Sequence, residues 1–400
     1  MFGSNDPDNP MGGLLGDLLK VIGSSQGSPG NSWFDAARTL AHGVATDGQP
    51  DQNADPLVRI AYEDVTRVAE LHVANATGIA LTSGGTAVSF DTVGRGQWSA
   101  LALAAYRPTL QQMVEAQQQG AAAVPPLLNA DDLGDDPTGG LGNLLGQFAV
   151  TLGPVLLGMQ FGSAAGHLAQ RAFGQYALPL PWPESNTLLL VPENVAQFAE
   201  DWSLPLQEVQ LWVCLRELAM HAVMTRPAVR ASVTTLLADA TSHAAASQRS
   251  MVERLGDGLG DPGALENVLS DPEALLADLI SPEQQHISNA LTALTTAIGA
   301  YADHVTAGIA ATLTSSPAAL REAWYRYRIE EGKGEQAFAG LFGLNVGRAE
   351  VDRGKNFIDG VVERAGEDAL ARLWGDDLDL PTPNEVDAPG LWLARIGLLD

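Results

Sequence analysis

Sulfur and positive charge are both scarce in this 400-residue sequence, which has one cysteine, Cys214, and 22 lysines and arginines against 48 aspartates and glutamates. A lone cysteine excludes an intramolecular disulfide. The formal charge of −26 repels a phosphate backbone or an anionic lipid surface, so neither nucleic acid nor a membrane is expected as a partner. No basic segment followed by an apolar core and cleavage site opens the chain, from which a cytoplasmic location is expected. Cys214 sits in the apolar run Leu211–Leu215 and reads as a small buried thiol rather than a nucleophile.

Long charge-free runs are also rare. One stretch, residues 137–170, passes 34 positions without Asp, Glu, Lys or Arg. Gly153, Gly158, Gly162 and Gly166, with Gln147, Pro154, Gln160 and His167, make it too poorly apolar for a lone membrane span. The glycines suit a buried helix that neighbouring helices approach closely. With 46% hydrophobic and 18% charged residues, the chain can fill a large core.

Periodicity and punctuation divide the chain into a flexible arm over residues 1–52, a helical lobe with a short hairpin over 53–140, and a helical domain over 141–400. The hairpin is expected from Ile79–Leu81 and Thr86–Phe90, which flank Ser83-Gly84-Gly85. Asp131, Asp132, Asp135 and Asp136 lie in a Gly/Pro-rich loop without EF-hand spacing. Leu188–Val191 reads as a buried strand ended by Pro192, and a helix is expected from about Leu206 to Met224. Ser270-Asp271-Pro272-Glu273 and Ser281-Pro282-Glu283 mark two further helix starts. One helix is expected over Val346–Leu373, followed by a partly ordered coil. The fold class is mainly α with a few short strands.

The stretch that bears on chemistry is Arg216-Glu217-Leu218-Ala219-Met220-His221. A strand followed by a helix with His-Glu-x-x-His is the zincin arrangement, in which histidines four apart share a helical face and grip zinc while the glutamate polarises the zinc water. Here the glutamate stands and both ligand positions do not. Arg216 cannot donate a lone pair to a metal, and Met220 offers a soft thioether. Two substitutes are open. Glu217 and His221 share a face and, with His304 from a later helix, could supply a rearranged metal site. Alternatively, the Arg216 guanidinium stands where the cation stood and pairs with Glu217 or another acid of the cleft.

Elsewhere, His42, His72, His167, His243 and His286 lack metal-ligand spacing, and Gly139–Gly146 lacks the context of a phosphate loop. Trp324 reads as a tryptophan covered by the stems of Arg321 and Arg328.

Gly158-Met159-Gln160-Phe161-Gly162, Gly174-Gln175-Tyr176, Leu189-Leu190-Val191-Pro192, Trp212–Glu217, Tyr301–Val305, Gly354-Lys355-Asn356-Phe357 and Val386-Asp387-Ala388-Pro389 follow one another in an order and spacing that resemble an actinobacterial family of zincin-like, zinc-dependent metallopeptidases. That family is associated with deazaflavin cofactor biosynthesis, and the resemblance runs from about Leu57 to Leu399. It implies a zincin-like helical domain over residues 141–400. Position by position, the family's first histidine falls on Arg216, its glutamate on Glu217 and its second histidine on Met220. In the later helix its glutamate falls on Gly299, while His304 is retained. The resemblance therefore implies the fold without the zinc site. A catalytically degenerate protein that binds a peptide or protein in the inherited cleft is expected, with no cofactor and no site for deazaflavin. The alternatives are a zinc-dependent hydrolase with ligands Glu217, His221 and His304, or a structural partner of an active paralogue.

Overall fold

The computed structural model describes residues 32–51, 55–81, 87–122, 137–258, 281–330, 332–375 and 379–399. The fold is mainly helical, with two short strands. In chain order the elements are α1 (Ser32–Ala45), α2 (Pro56–Thr77), β1 (Ser89–Thr92), α3 (Arg95–Ala122), α4 (Pro137–Ala169), β2 (Thr187–Leu190), α5 (Pro192–Asp201), α6 (Leu206–Met224), α7 (Pro227–Gly258), α8 (Pro282–Leu313), α9 (Pro317–Ile329), α10 (Lys333–Leu341), α11 (Arg348–Ala365), a 3₁₀ segment (Glu367–Trp374), α12 (Pro383–Asp387) and α13 (Pro389–Arg395). The expected helix start at Ser270, the acidic loop at Asp131–Asp136 and the turn at Ser83–Gly85 lie outside the described residues.

Local chemistry places the helix starts. Asp55 accepts a hydrogen bond from Leu57 N ahead of Pro56 in α2, and Gly78 closes that helix in the left-handed region with φ of 65°. Ser281 Oγ accepts from Gln284 N, and Pro282 opens α8.

The core centres on α6, which is buried from Val209 to Met224 except at Leu211. Helices α2, α5, α7 and α8 pack around it. A helix enclosed on nearly all sides leaves no solvent for its polar residues, so Gln210, Arg216, Glu217 and His221 must find partners inside.

Part of the expected arm is core. Trp33, Phe34, Ala37 and Ala41 of α1 are buried against α4. The glycines of α4 make this possible. A Cβ on Gly158 would stand 2.1 Å from the Trp33 carbonyl oxygen, and one on Gly162 would stand 2.3 Å from that of Ala37. The glycines were legible as a close-approach surface, but the helix approaching them lies in a segment whose Gly, Ser and Pro content read as an arm. Helix α4 also runs across the boundary expected between residues 140 and 141. Gly162→Ala is expected to force the helices apart and cost about 1–3 kcal/mol, read as a lower urea midpoint with an unchanged slope. A midpoint equal to the parent's would contradict this packing.

The expected hairpin is not formed among the described residues. Ile79–Leu81 is coil, and β1 pairs instead with β2 in parallel, Ser89 opposite Thr187 and Thr92 opposite Leu190. A third chain segment completes the sheet edge. Gly174 bridges Leu190 in antiparallel sense, with Val191 N donating to Phe173 O at 2.8 Å and Gln175 N to Leu189 O at 3.0 Å. Trp98 Nε1 donates to Gly174 O at 2.9 Å, and Asn194 Nδ2 donates to the carbonyls of Ala169 and Ala172 at the end of α4. These bonds fix the segment that reaches α6.

The helix expected over Val346–Leu373 breaks at Gly366, whose φ of 82° cannot continue an α-helix, and resumes as the 3₁₀ segment. The expected coil at the end of the chain is two short helices. Thr382 and Glu385 form a capping box on α12, and Trp392 of α13 is fully buried, its Nε1 donating to Asp379 O.

Candidate functional site

Residues 216–221 present their polar groups to two neighbours, the Phe173–Tyr176 segment and α8. Glu217 is 2% exposed, and its Oε2 accepts from Tyr176 N at 2.8 Å. The backbone can come this close because residue 174 is glycine: a Cβ there would lie 2.5 Å from Glu217 Cδ. Burial pushes the Glu217 carboxyl up to about 7, against the opposing pull of Arg216 and the backbone N–H groups of Tyr176 and Gln175.

Arg216 is 5% exposed and tied on several sides. Its Nε donates to Asp303 Oδ1 of α8 at 3.0 Å, and one terminal nitrogen lies 3.3 Å from Tyr176 O and 3.8 Å from Glu217 Oε1. Its guanidinium carbon stands 4.9 Å from the ring centre of Trp324. Asp303 also accepts from Trp324 Nε1 at 2.9 Å and from Arg328 at 3.3 Å. One carboxylate thus joins two guanidinium groups and an indole. Trp324 is covered by an arginine, but by Arg216 from another helix, while Arg328 turns to Asp303.

His221 lies on the far side of Tyr176. Its Nδ1 shares a 3.0 Å hydrogen bond with the Tyr176 hydroxyl, and burial, with Arg230 nearby, pushes the imidazole down to about 4, so the ring is neutral at pH 7. Tyr176 therefore touches Glu217 through its backbone and His221 through its phenol. Met220 and Cys214 are completely buried, and burial pushes the Cys214 thiol well up.

His304 follows Asp303 in sequence but faces elsewhere. Its Nε2 lies 2.9 Å from Glu367 Oε2 on the 3₁₀ segment, a partly exposed pair. Glu217, His221 and His304 are therefore not gathered as ligands, and among the described residues no group of three His, Cys, Asp or Glu side chains could hold a metal.

Arg216 forms the floor of a cleft that Asp303, Arg328, Glu335, Asn345 and Glu350 also line, with an adjoining pocket reaching Glu217, Trp324 and Tyr327. This cleft has a cavity volume of about 40 Å³ beneath its open mouth. It is narrow and mixed in character, with Asp303, Arg328, Glu335 and Glu350 beside the apolar Leu178, Leu344 and Val346.

Asp303 and Tyr176 were not singled out from sequence. Asp303 carried a signal: it is the one acid of α8 beyond its first turn, and a buried arginine on an apolar helix requires a partner. Tyr176 stood only within the Gly174-Gln175-Tyr176 segment of the resemblance, because its contact with Glu217 is made through a backbone N–H that no side-chain pattern announces.

The family described as zincin-like metallopeptidase matches residues 33–393. No curated protein matches the chain. A protein from Chloroflexus aurantiacus, whose crystal structure is provisionally described as that of a hydrolase with a novel fold, is similar at 20% identity and a TM-score of 0.62, covering 92% of this chain and 99% of its own. At that identity the likeness concerns the fold. No helix among the described residues is long and apolar enough to cross a membrane.

Proposed function

The chain belongs to the zincin-like metallopeptidase family, and we propose that it is a catalytically silent member that binds a peptide or protein segment in the cleft above Arg216. The observation that carries this reading is the guanidinium itself, buried where the resemblance sets the family's first histidine and bonded to Asp303 and Tyr176 O. Zinc does not fit the residues present. A permanent cation stands beside Glu217, Met220 is a thioether, and His304 is engaged with Glu367. A carboxyl held between an arginine and a backbone N–H, with no metal ligand beside it, is a structural anchor for the sheet edge.

The cleft remains. Backbone carbonyls and N–H groups of an extended peptide suit its mixed walls of Arg328, Glu335, Asn345 and Glu350.

Two measurements test the reading. Untagged protein supplied with zinc and desalted is expected to retain none by elemental mass spectrometry; near-stoichiometric zinc that His221→Ala or His304→Ala removes would replace the silent reading with the hydrolase. Peptides selected from a display library are expected to bind without being cut and to be lost from Asn345→Trp, which fills the cleft mouth. Failure to enrich any peptide, or equal binding by the variant, would remove the cleft as the binding site.

A further inference from the structure

Among the described residues, helix α2 turns one face inward and leaves the opposite face exposed. Tyr62, Thr66, Ala69 and Val73 are buried in the core, whereas Leu57, Ile60, Val68 and Leu71 are 72%, 55%, 46% and 61% exposed. Four of the ten large apolar side chains exposed among the described residues fall on this one helix. Scattered singly they would need no explanation, but a stripe of them on one helix face marks a surface that is covered in use.

The order of residues along the stripe indicates what covers it. Positions 57, 60, 64, 67, 71 and 74 step alternately by three and four, the spacing of a coiled-coil seam. They are Leu57, Ile60, Asp64, Arg67, Leu71 and Ala74, the last half-buried against the core at the edge of the stripe, a series that complements its own reverse. An antiparallel pairing centred between residues 65 and 66 sets Leu57 against Ala74 of a second copy, Ile60 against Leu71 and Asp64 against Arg67. Each pair recurs across the axis. Apolar meets apolar, and both charges of the seam meet opposite charge. Parallel in-register pairing would instead oppose Asp64 to Asp64 and Arg67 to Arg67. Within one chain these two side chains lie 3.4 Å apart at 74% and 76% exposure, a pair worth little in water and available to a partner.

We infer that α2 is a homodimer interface, in which the α2 helices of two copies pack antiparallel about a two-fold axis at the Asp64–Arg67 turn. Such a contact is isologous and closes on itself. A single helix face supplies less than the roughly 800 Å² per partner of a standard interface, so the dimer forms and dissociates with concentration.

Sedimentation equilibrium of the full chain over a wide concentration range tests the assignment. The wild type is expected to pass from monomer to dimer, and Leu71→Glu to weaken association by about tenfold or more with an unchanged circular dichroism spectrum. Asp64→Arg opposes like charges across the axis and weakens the dimer similarly. Adding Arg67→Asp to that variant restores opposite charges and returns the dimer. Three results overturn the assignment: a wild type that is monomeric throughout, whether the face is bare or covered by residues before Ser32; a dimer indifferent to Leu71→Glu; and a charge-reversed double variant no tighter than Asp64→Arg alone.

Discussion

Arg216→Met is expected to destabilise the protein by about 3–5 kcal/mol, the usual consequence of removing one partner from a buried ion pair. The loss has two parts. Asp303 keeps Arg328 and Trp324 but loses its bond to Arg216 Nε, and the 3%-exposed Glu217 side chain loses its nearest cation. Arg216→Lys keeps the charge yet cannot reach Asp303 and Tyr176 O together, so an intermediate loss is expected. The destabilisation by Arg216→Met should be smaller in a Glu217→Gln background, where no carboxylate is stranded. Urea denaturation at pH 8 reads all three. A loss for Arg216→Met below about 1 kcal/mol, the range of exposed pairs, would mean that the network does not hold α6 to α8.

The second prediction concerns pH. Glu217 is held at about 7 against an ordinary 4.5, so between those values the folded protein binds the extra proton and stability falls as pH rises. His221 is held at about 4 against an ordinary 6.5, so between those values the unfolded chain binds the extra proton and stability rises with pH. Each displacement corresponds to about 3 kcal/mol. The slopes oppose each other, and their windows overlap from 4.5 to 6.5. The pair therefore contributes almost no net pH dependence there in the wild type. Removing either member unmasks the other. Glu217→Gln should gain stability with rising pH from about 4 to 6.5, while His221→Gln should lose stability from about 4.5 to 7. Urea midpoints at several pH values, compared as differences from the wild type, separate the two. Variant profiles parallel to the wild type would show that neither group is held away from its ordinary titration.

The sequence disclosed what is local. Ser281-Pro282 announced α8, Pro192 ended the strand at Leu190, and the run from Leu206 to Met224 announced α6 as a helix. It also marked Arg216 as a group that needs an acid. What it withheld is pairing across distance. Strand β1 finds its partner about a hundred residues later instead of in the adjacent segment, and Arg216 finds Asp303 at a separation of 87 residues. The helix α1 was hidden for a different reason: it is a short apolar island in a segment whose Gly, Ser and Pro content reads as an arm, and its partner is the glycine face of α4, more than a hundred residues away.

The positive charge at Arg216 is part of the polypeptide, and this sets it apart from any charge that is taken up after synthesis. It arrives with translation, needs no uptake or loading step, and stays in place in the presence of chelators and across the whole pH range in which the fold persists. The network around it, Asp303, Tyr176 O and Glu217, is likewise assembled from groups that the chain itself encodes.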